Sequence, residues 1–152
     1  MSDAIPRFNH IALSVPAEAL NGSGREALLR FYGEVFGWTG MPGMERDREL
    51  LVLRCHSNEQ FVYIHASESP MRCGSMEHFG MSVASPEQLD AIYERARKFG
   101  EADSDVEIIE RKLDDFKAVK LHSFYVRYRL PVMIEVQCFE WAEGLGAQSL
   151  PD

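Results

Sequence analysis

Alternating apolar and small polar positions mark the first strand of the chain, Phe8-Asn9-His10-Ile11-Ala12-Leu13-Ser14-Val15. Successive side chains of a strand point to opposite faces, so Ile11, Leu13 and Val15 form one apolar face suited to pack on a helix. The other face carries His10, Ala12 and Ser14, an imidazole followed by two small residues. Small neighbours leave open space where a core would place Val, Leu or Phe. The pattern returns in Glu77-His78-Phe79-Gly80-Met81-Ser82-Val83, and His10 and His78 lie 68 positions apart. One such histidine alone reads as a polar residue on a half-exposed strand. Two matched copies point to a duplicated unit.

Each copy is followed by the same order of elements. After the first, Ser23-Gly24-Arg25-Glu26 has the spacing of a capping box. A helix is predicted over Arg25–Phe36, with Leu28, Phe31, Tyr32, Val35 and Phe36 on one face and Gly37 at its end. Met41–Arg48 reads as a turn or weak edge strand, and strands are predicted over Glu49–Cys55 and Gln60–Ala66. After the second copy, Ser85-Pro86-Glu87-Gln88 forms another capping box with Pro at the first helical position. Leu89, Ile92, Tyr93, Ala96 and Phe99 give the buried stripe of that helix, and Gly100 is expected to end it. Strands over Val106–Lys112, His122–Tyr128 and Val132–Phe139 complete the half. The expectation is an α+β fold of two tandem βαβββ modules, over 6–66 and 77–139, joined by a linker at 67–76 within a single domain at 1–139. A C-terminal tail of low order at 140–152 follows, with Trp141 and Leu145 as candidates to dock it.

Composition narrows the function classes. A chain of 152 residues suits one domain, or two small similar halves sharing a core. Its net charge of -8 argues against nucleic acid or an anionic membrane as partner. No apolar run approaches the ~20 residues of a membrane span, and no signal-peptide pattern follows Met1. Cys55, Cys73 and Cys138 are odd in number and lack metal-ligand spacing, as expected of reduced thiols in a cytoplasmic protein.

Superimposing the halves sets Phe61–Ala66 beside Met133–Gln137, with His65 and Glu135 70 positions apart. Val62 and Ile64, like Ile134 and Val136, take the apolar face, so His65 and Glu135 project to the face of His10 and His78. A carboxylate inside the apolar run Val132–Phe139 is costly to bury unless paired or bound to a cation. Arg127 and Arg129 are the alternative partners. Two sheets related by a pseudo-twofold would bring the four positions toward one cavity. Imidazoles with a carboxylate suit a divalent first-row metal such as Fe, Ni, Zn or Mn, and leave coordination positions open for Lewis-acid or oxygen chemistry. His65 is then either a fourth ligand, a residue just outside the coordination sphere, or simply a hydrogen-bonded strand histidine. His122 and Tyr125 lie on a strand next to Glu135 and are candidate acid, base or oxyanion donors if they face the cavity. The alternative for His122 is a solvated strand start. Phe61 and Tyr63 share the face of His65 and would line an apolar pocket.

These pieces, with Leu29-Arg30-Phe31-Tyr32-Gly33-Glu34-Val35-Phe36-Gly37-Trp38 and Phe124-Tyr125-Val126-Arg127, resemble the vicinal oxygen chelate superfamily. That superfamily includes glyoxalase I, methylmalonyl-CoA epimerase, fosfomycin-resistance proteins, extradiol dioxygenases and bleomycin-binding proteins. The resemblance spans 6–139 and implies two βαβββ modules making an incomplete mixed barrel around a metal. It places the ligand positions on His10, His65, His78 and Glu135. It implies a metal-dependent enzyme acting on a small-molecule substrate through adjacent oxygens, by glyoxalase-like isomerase or lyase chemistry or by ring cleavage. The alternative it offers is a metal-free sequestering protein of the bleomycin-resistance type. A homodimer is implied by analogy, with modules swapped between chains or not. Two departures stand out: glyoxalase I usually has Glu where this chain has His65, and Tyr128-Arg129-Leu130-Pro131 replaces the family's Asp-Pro-x-Gly turn.

Overall fold

The duplicated alternation is realised as two copies of one unit. A computed structural model describes residues 6–146. The first unit comprises β1 (His10–Val15), a 3-10 turn (Ala17–Leu20), α1 (Gly22–Phe36), β2 (Thr39–Arg46), β3 (Leu50–Arg54) and β4 (Phe61–Ala66). The second comprises β5 (His78–Ser82), α2 (Pro86–Ala102), β6 (Val106–Asp115), β7 (Val119–Tyr128) and β8 (Met133–Trp141). Each forms a four-stranded sheet, in the orders β1-β4-β3-β2 and β5-β8-β7-β6. The first strand of each unit runs parallel to its last, and the remaining pairs are antiparallel. This is an α+β fold of two tandem modules whose sheets are not closed on each other.

The helix ends show how local chemistry sets the boundaries. Asn21, not Ser23, caps α1, accepting from the Gly24 amide at 2.8 Å, so the helix starts three residues before the expected Arg25. Gly24 is needed there: a Cβ would stand 2.5 Å from the Ala19 carbonyl oxygen of the preceding turn. Gly37 ends α1 in the left-handed region, at φ 74°. Ser85 caps α2 as expected, accepting from the Gln88 amide, while the Gln88 side chain accepts from the Ala84 amide. Gly100 does not stop α2, which runs on to Ala102 with the Asp103 amide bonded to the Phe99 carbonyl. Thr39–Arg46 is an exposed edge strand, one of the two readings its composition allowed. The tail begins later than expected, because Glu140 and Trp141 belong to β8 and Trp141 pairs with Val119. Leu145 is exposed, and 147–152 lie outside the described residues.

The core lies between the helices and the apolar faces of both sheets. Leu13, Val15, Leu53 and Ile64 from one sheet join Phe124, Val126, Ile134 and Val136 from the other in a single buried cluster. Phe31 of α1 bridges the halves, stacking on Tyr128 at 4.5 Å and meeting Phe99 edge-on at 5.0 Å. The buried Tyr32 hydroxyl donates to the Tyr128 carbonyl at 3.0 Å. The helices are therefore committed to the interior, and the faces carrying His10, Ala12, Ser14 and His78, Gly80, Ser82 are left open. Among the described residues no helix is long and apolar enough to cross a membrane.

Candidate metal site

Glu135 sits in the middle of β8 between two cross-strand neighbours, Gly80 on β5 and Tyr125 on β7. It is only 6% exposed. Neither arginine suggested by the sequence pairs with it: Arg127 binds Glu107 at 2.6 Å and Arg129 binds Asp105 at 2.8 Å. Its close polar neighbour is His78, whose Nε2 stands 3.2 Å from Glu135 Oε2. The His78 Nδ1 lies 2.7 Å from the Met76 carbonyl oxygen. A carbonyl can only accept, so Nδ1 carries the proton and donates it. Nε2 faces the carboxylate, so either a second proton or a shared cation must stand between them, and in the second case the ring is oriented to ligate. Two ligands each about 2.1 Å from one cation stand about 3.0–3.4 Å apart in octahedral or tetrahedral geometry. The observed separation falls in that range, so the pair fits a divalent first-row metal.

Tyr125 completes this face. Its ring meets His78 edge-on at 5.1 Å. Burial, and then the neighbouring Glu135 carboxylate, push its phenol up to about 12. At neutral pH it is a proton donor and not a base. Ser123, two residues earlier on the same face, has a buried hydroxyl without a hydrogen-bond partner in the described structure.

His122 does not join them. It is one of the two candidates the sequence offered beside Glu135, but strand alternation turns it to the helix side with Phe124 and Val126. There it is 7% exposed and lies between Arg111, at 3.0 Å from Nδ1, and Glu140, on Nε2. Nor does it start a solvated strand, since β7 begins at Val119. Arg111 in turn is held by Asp90. His122 thus belongs to a structural polar chain on the far side of the sheet.

On the first module, His10 donates from Nδ1 to Asn9 Oδ1 at 2.8 Å, which again leaves Nε2 free. Its ring stacks on Phe61 at 4.8 Å. It lines a cleft of about 470 Å³ together with Trp38, Phe61, Gly80 and Met81, joining the first strands of the two modules. Within one chain, however, no three of the described His, Cys, Asp or Glu side chains come together around a common point. One chain supplies His78 and Glu135 as a pair and His10 separately.

The expected equivalence of His65 and Glu135 is corrected by register. His10 pairs with Phe61 and His78 with Met133, so Ala12 faces Tyr63 where Gly80 faces Glu135. Tyr63 is the counterpart of Glu135, and His65 lies two residues farther along, opposite Ser14. The face was legible and the position was not, because a slip of two residues leaves the face unchanged. His65 is half-buried, with its Nδ1 at 3.2 Å from the Ala66 carbonyl.

No family model and no curated protein matches the sequence. Solved structures do match in fold. A putative glyoxalase family protein from Bacillus anthracis aligns with a TM-score of 0.63 at 21% identity, covering 92% of this chain and 100% of that one. A glyoxalase/bleomycin resistance protein from Albidiferax ferrireducens T118 gives 0.59 at 21%, covering 86% and 98%. The genomically encoded fosfomycin resistance protein FosX from Listeria monocytogenes gives 0.58 at 16%, covering 89% and 94%. The fold is that of these glyoxalase and glyoxalase/bleomycin resistance proteins. Particular activities differ among proteins of this architecture, so the chemistry must be argued from the site.

Proposed function

We propose that this protein is a metal-dependent enzyme that acts on a small molecule through two adjacent oxygens. The observation that carries the reading is the His78–Glu135 pair at 3.2 Å, buried at the carboxylate and fixed in its ligating tautomer by Met76. His78, Glu135 and His10 would hold the cation, with His10 coming from a second copy of the chain. Both β1 and β5 are edge strands, free to approach a partner's sheet. A bound divalent cation would supply Lewis-acid polarisation of the substrate oxygens, as isomerase, lyase and ring-cleaving chemistry all require.

The chain's own residues do the rest. Tyr125, kept protonated, donates to a substrate oxygen beside Glu135 and so stabilises negative charge there. Gly80 and Ala12, small residues opposite Glu135 and Tyr63, leave the space in which a substrate lies. Phe61 and Tyr63 supply an aromatic wall.

Metal analysis of protein purified without a His tag tests the reading. The wild type should carry a stoichiometric first-row metal, and Glu135→Ala should lose most of it. Absence of metal from the wild type, together with ligand binding unaffected by Glu135→Ala, would mark a sequestering protein instead. With metal present, oxygen uptake on a panel of catechols separates ring cleavage from isomerase or lyase chemistry.

A further inference from the structure

A chain with a net charge of -8 gathers three arginines in the wall of one cavity. The cavity, of about 570 Å³, lies where the end of β1, the linker between the modules and the β7–β8 turn meet. We infer that it binds a small organic carboxylate, gripped by Arg72, Arg127 and Arg129 and packed against the prolines that share the wall. None of His10, His65, His78, Tyr125 and Glu135 lines it, so this site stands apart from the metal-site reading. Every residue of the wall comes from one chain.

Charge selects the ligand. Arg127 donates to Glu107 from Nε at 3.2 Å and from Nη2 at 2.6 Å, and Arg129 donates to Asp105 from Nε at 2.8 Å. Arg72 is exposed and makes no ion pair among the described residues. Three guanidiniums against two carboxylates leave the wall one positive charge, which a single carboxylate neutralises and a phosphate dianion overshoots. A guanidinium has five N–H donors and no acceptor. Arg127 therefore keeps its Nη1 group for a ligand, and Arg129 keeps both terminal nitrogens, in the planar fork that matches a carboxylate. Ser14 adds a donor: its Oγ accepts from the Met71 amide at 2.7 Å, which leaves the hydroxyl proton to give.

Backbone and wall agree with this. Arg129 sits in the left-handed region, at φ 54°, where Gly or Asn fits more readily. Its pair with Asp105 is exposed, and exposed ion pairs contribute little to stability. Support of the turn does not by itself account for an arginine there. Pro16, Pro70, Leu130 and Pro131 supply a rigid apolar surface for the body of the molecule. The volume lies within the ~300–1,000 Å³ usual for small-molecule sites. The cleft beside His10 is of similar size and has no arginine in its wall.

Titrating isotope-labelled protein with sodium benzoate at low salt, and following its amide NMR spectrum, tests the assignment. Saturable shifts should gather at Ser14, Met71, Arg72 and Leu130. Benzamide, nearly the same shape without the charge, should bind about tenfold more weakly. Arg72→Gln should weaken benzoate by a similar factor and leave the thermal midpoint unchanged, since its side chain has no ion-pair partner to lose. Glu107→Gln should bind benzoate several-fold more tightly, because one opposing charge is gone. No saturable shift, or shifts centred on His78 and Glu135, would overturn the inference. Equal affinity for benzamide would overturn it by reducing the site to an apolar cleft, and phosphate binding tighter than benzoate would contradict the carboxylate. Unchanged benzoate affinity in Arg72→Gln, or no gain in Glu107→Gln, would make the arginines struts between loops and nothing more.

Discussion

An imidazole with acceptors on both nitrogens needs a second proton or a cation on one of them. His78 is in that position, with the Met76 carbonyl on Nδ1 and the Glu135 carboxylate near Nε2. Tyr125 sharpens the contrast between candidate and structural residues. It shares the face of Glu135 and stays protonated, whereas His122, three residues earlier on the same strand, faces the helices between Arg111 and Glu140. Replacing His122 should therefore act on stability and not on the cation. His122→Ala leaves the Arg111 and Glu140 groups with a missing partner, at a cost of about 1–3 kcal/mol in urea denaturation. Its metal content should equal that of the wild type. A variant that keeps full stability and loses its metal would place His122 in the site after all.

At the scale of elements, the end of β7 couples the two modules and responds to pH. The Tyr128 hydroxyl donates to Asp103 Oδ2 at 2.7 Å, while its carbonyl accepts from Tyr32 of α1. Burial, and then the bond to Asp103, push the Tyr128 phenol up to about 12. The bond from Tyr128, aided by the Asp105 amide, holds the Asp103 carboxyl below the usual range. The signs follow from linkage. The raised phenol contributes stability that is complete below its ordinary value near 10 and is lost as pH rises toward about 12. The lowered carboxyl contributes stability that is present above its ordinary value of 3.8 and is lost as pH falls beneath it. Tyr128→Phe should lose about 1 kcal/mol near neutrality and show a flatter stability curve at both extremes. A parallel pH profile in the variant would show that the pair carries no linkage.

The elements also show what the sequence made legible. Alternation of apolar and small positions identified the strands, their order and the face of His10, His78 and Glu135, because a strand's period depends only on local sequence. Register did not follow from it. Phe61 to Met133 spans 72 positions, against 68 from His10 to His78. The added length lies in the second half, where the hairpin strands β6 and β7 each reach ten residues. An offset of 70, close to the 68 between the histidines, therefore points to His65, whereas the true offset of 72 falls on Tyr63. Parallel pairing of the first and last strands fixes the true match, and it is a non-local property. Likewise Asn21 capped α1 ahead of the capping-box pattern at Ser23, because the preceding 3-10 turn brings Ala19 against Gly24.

For the molecule as a whole, the fold puts its apolar effort into one shared core and turns the imidazole-bearing faces outward. The helix contacts through Phe31, Tyr32 and Arg95 hold the halves together, and the two sheets do not join by hydrogen bonds. One chain then presents the His78–Glu135 pair on one sheet and His10 and His65 on the other, which is the geometric reason for proposing a homodimer. The measurement that tests this most directly is diffraction at the cobalt absorption edge from crystals of untagged protein soaked in cobalt(II). The account predicts an anomalous peak for each chain, within bonding distance of His78 Nε2 and a Glu135 oxygen, with the partner's His10 completing the set. No peak at that pair, or a peak there from which every His10 is remote, would contradict it.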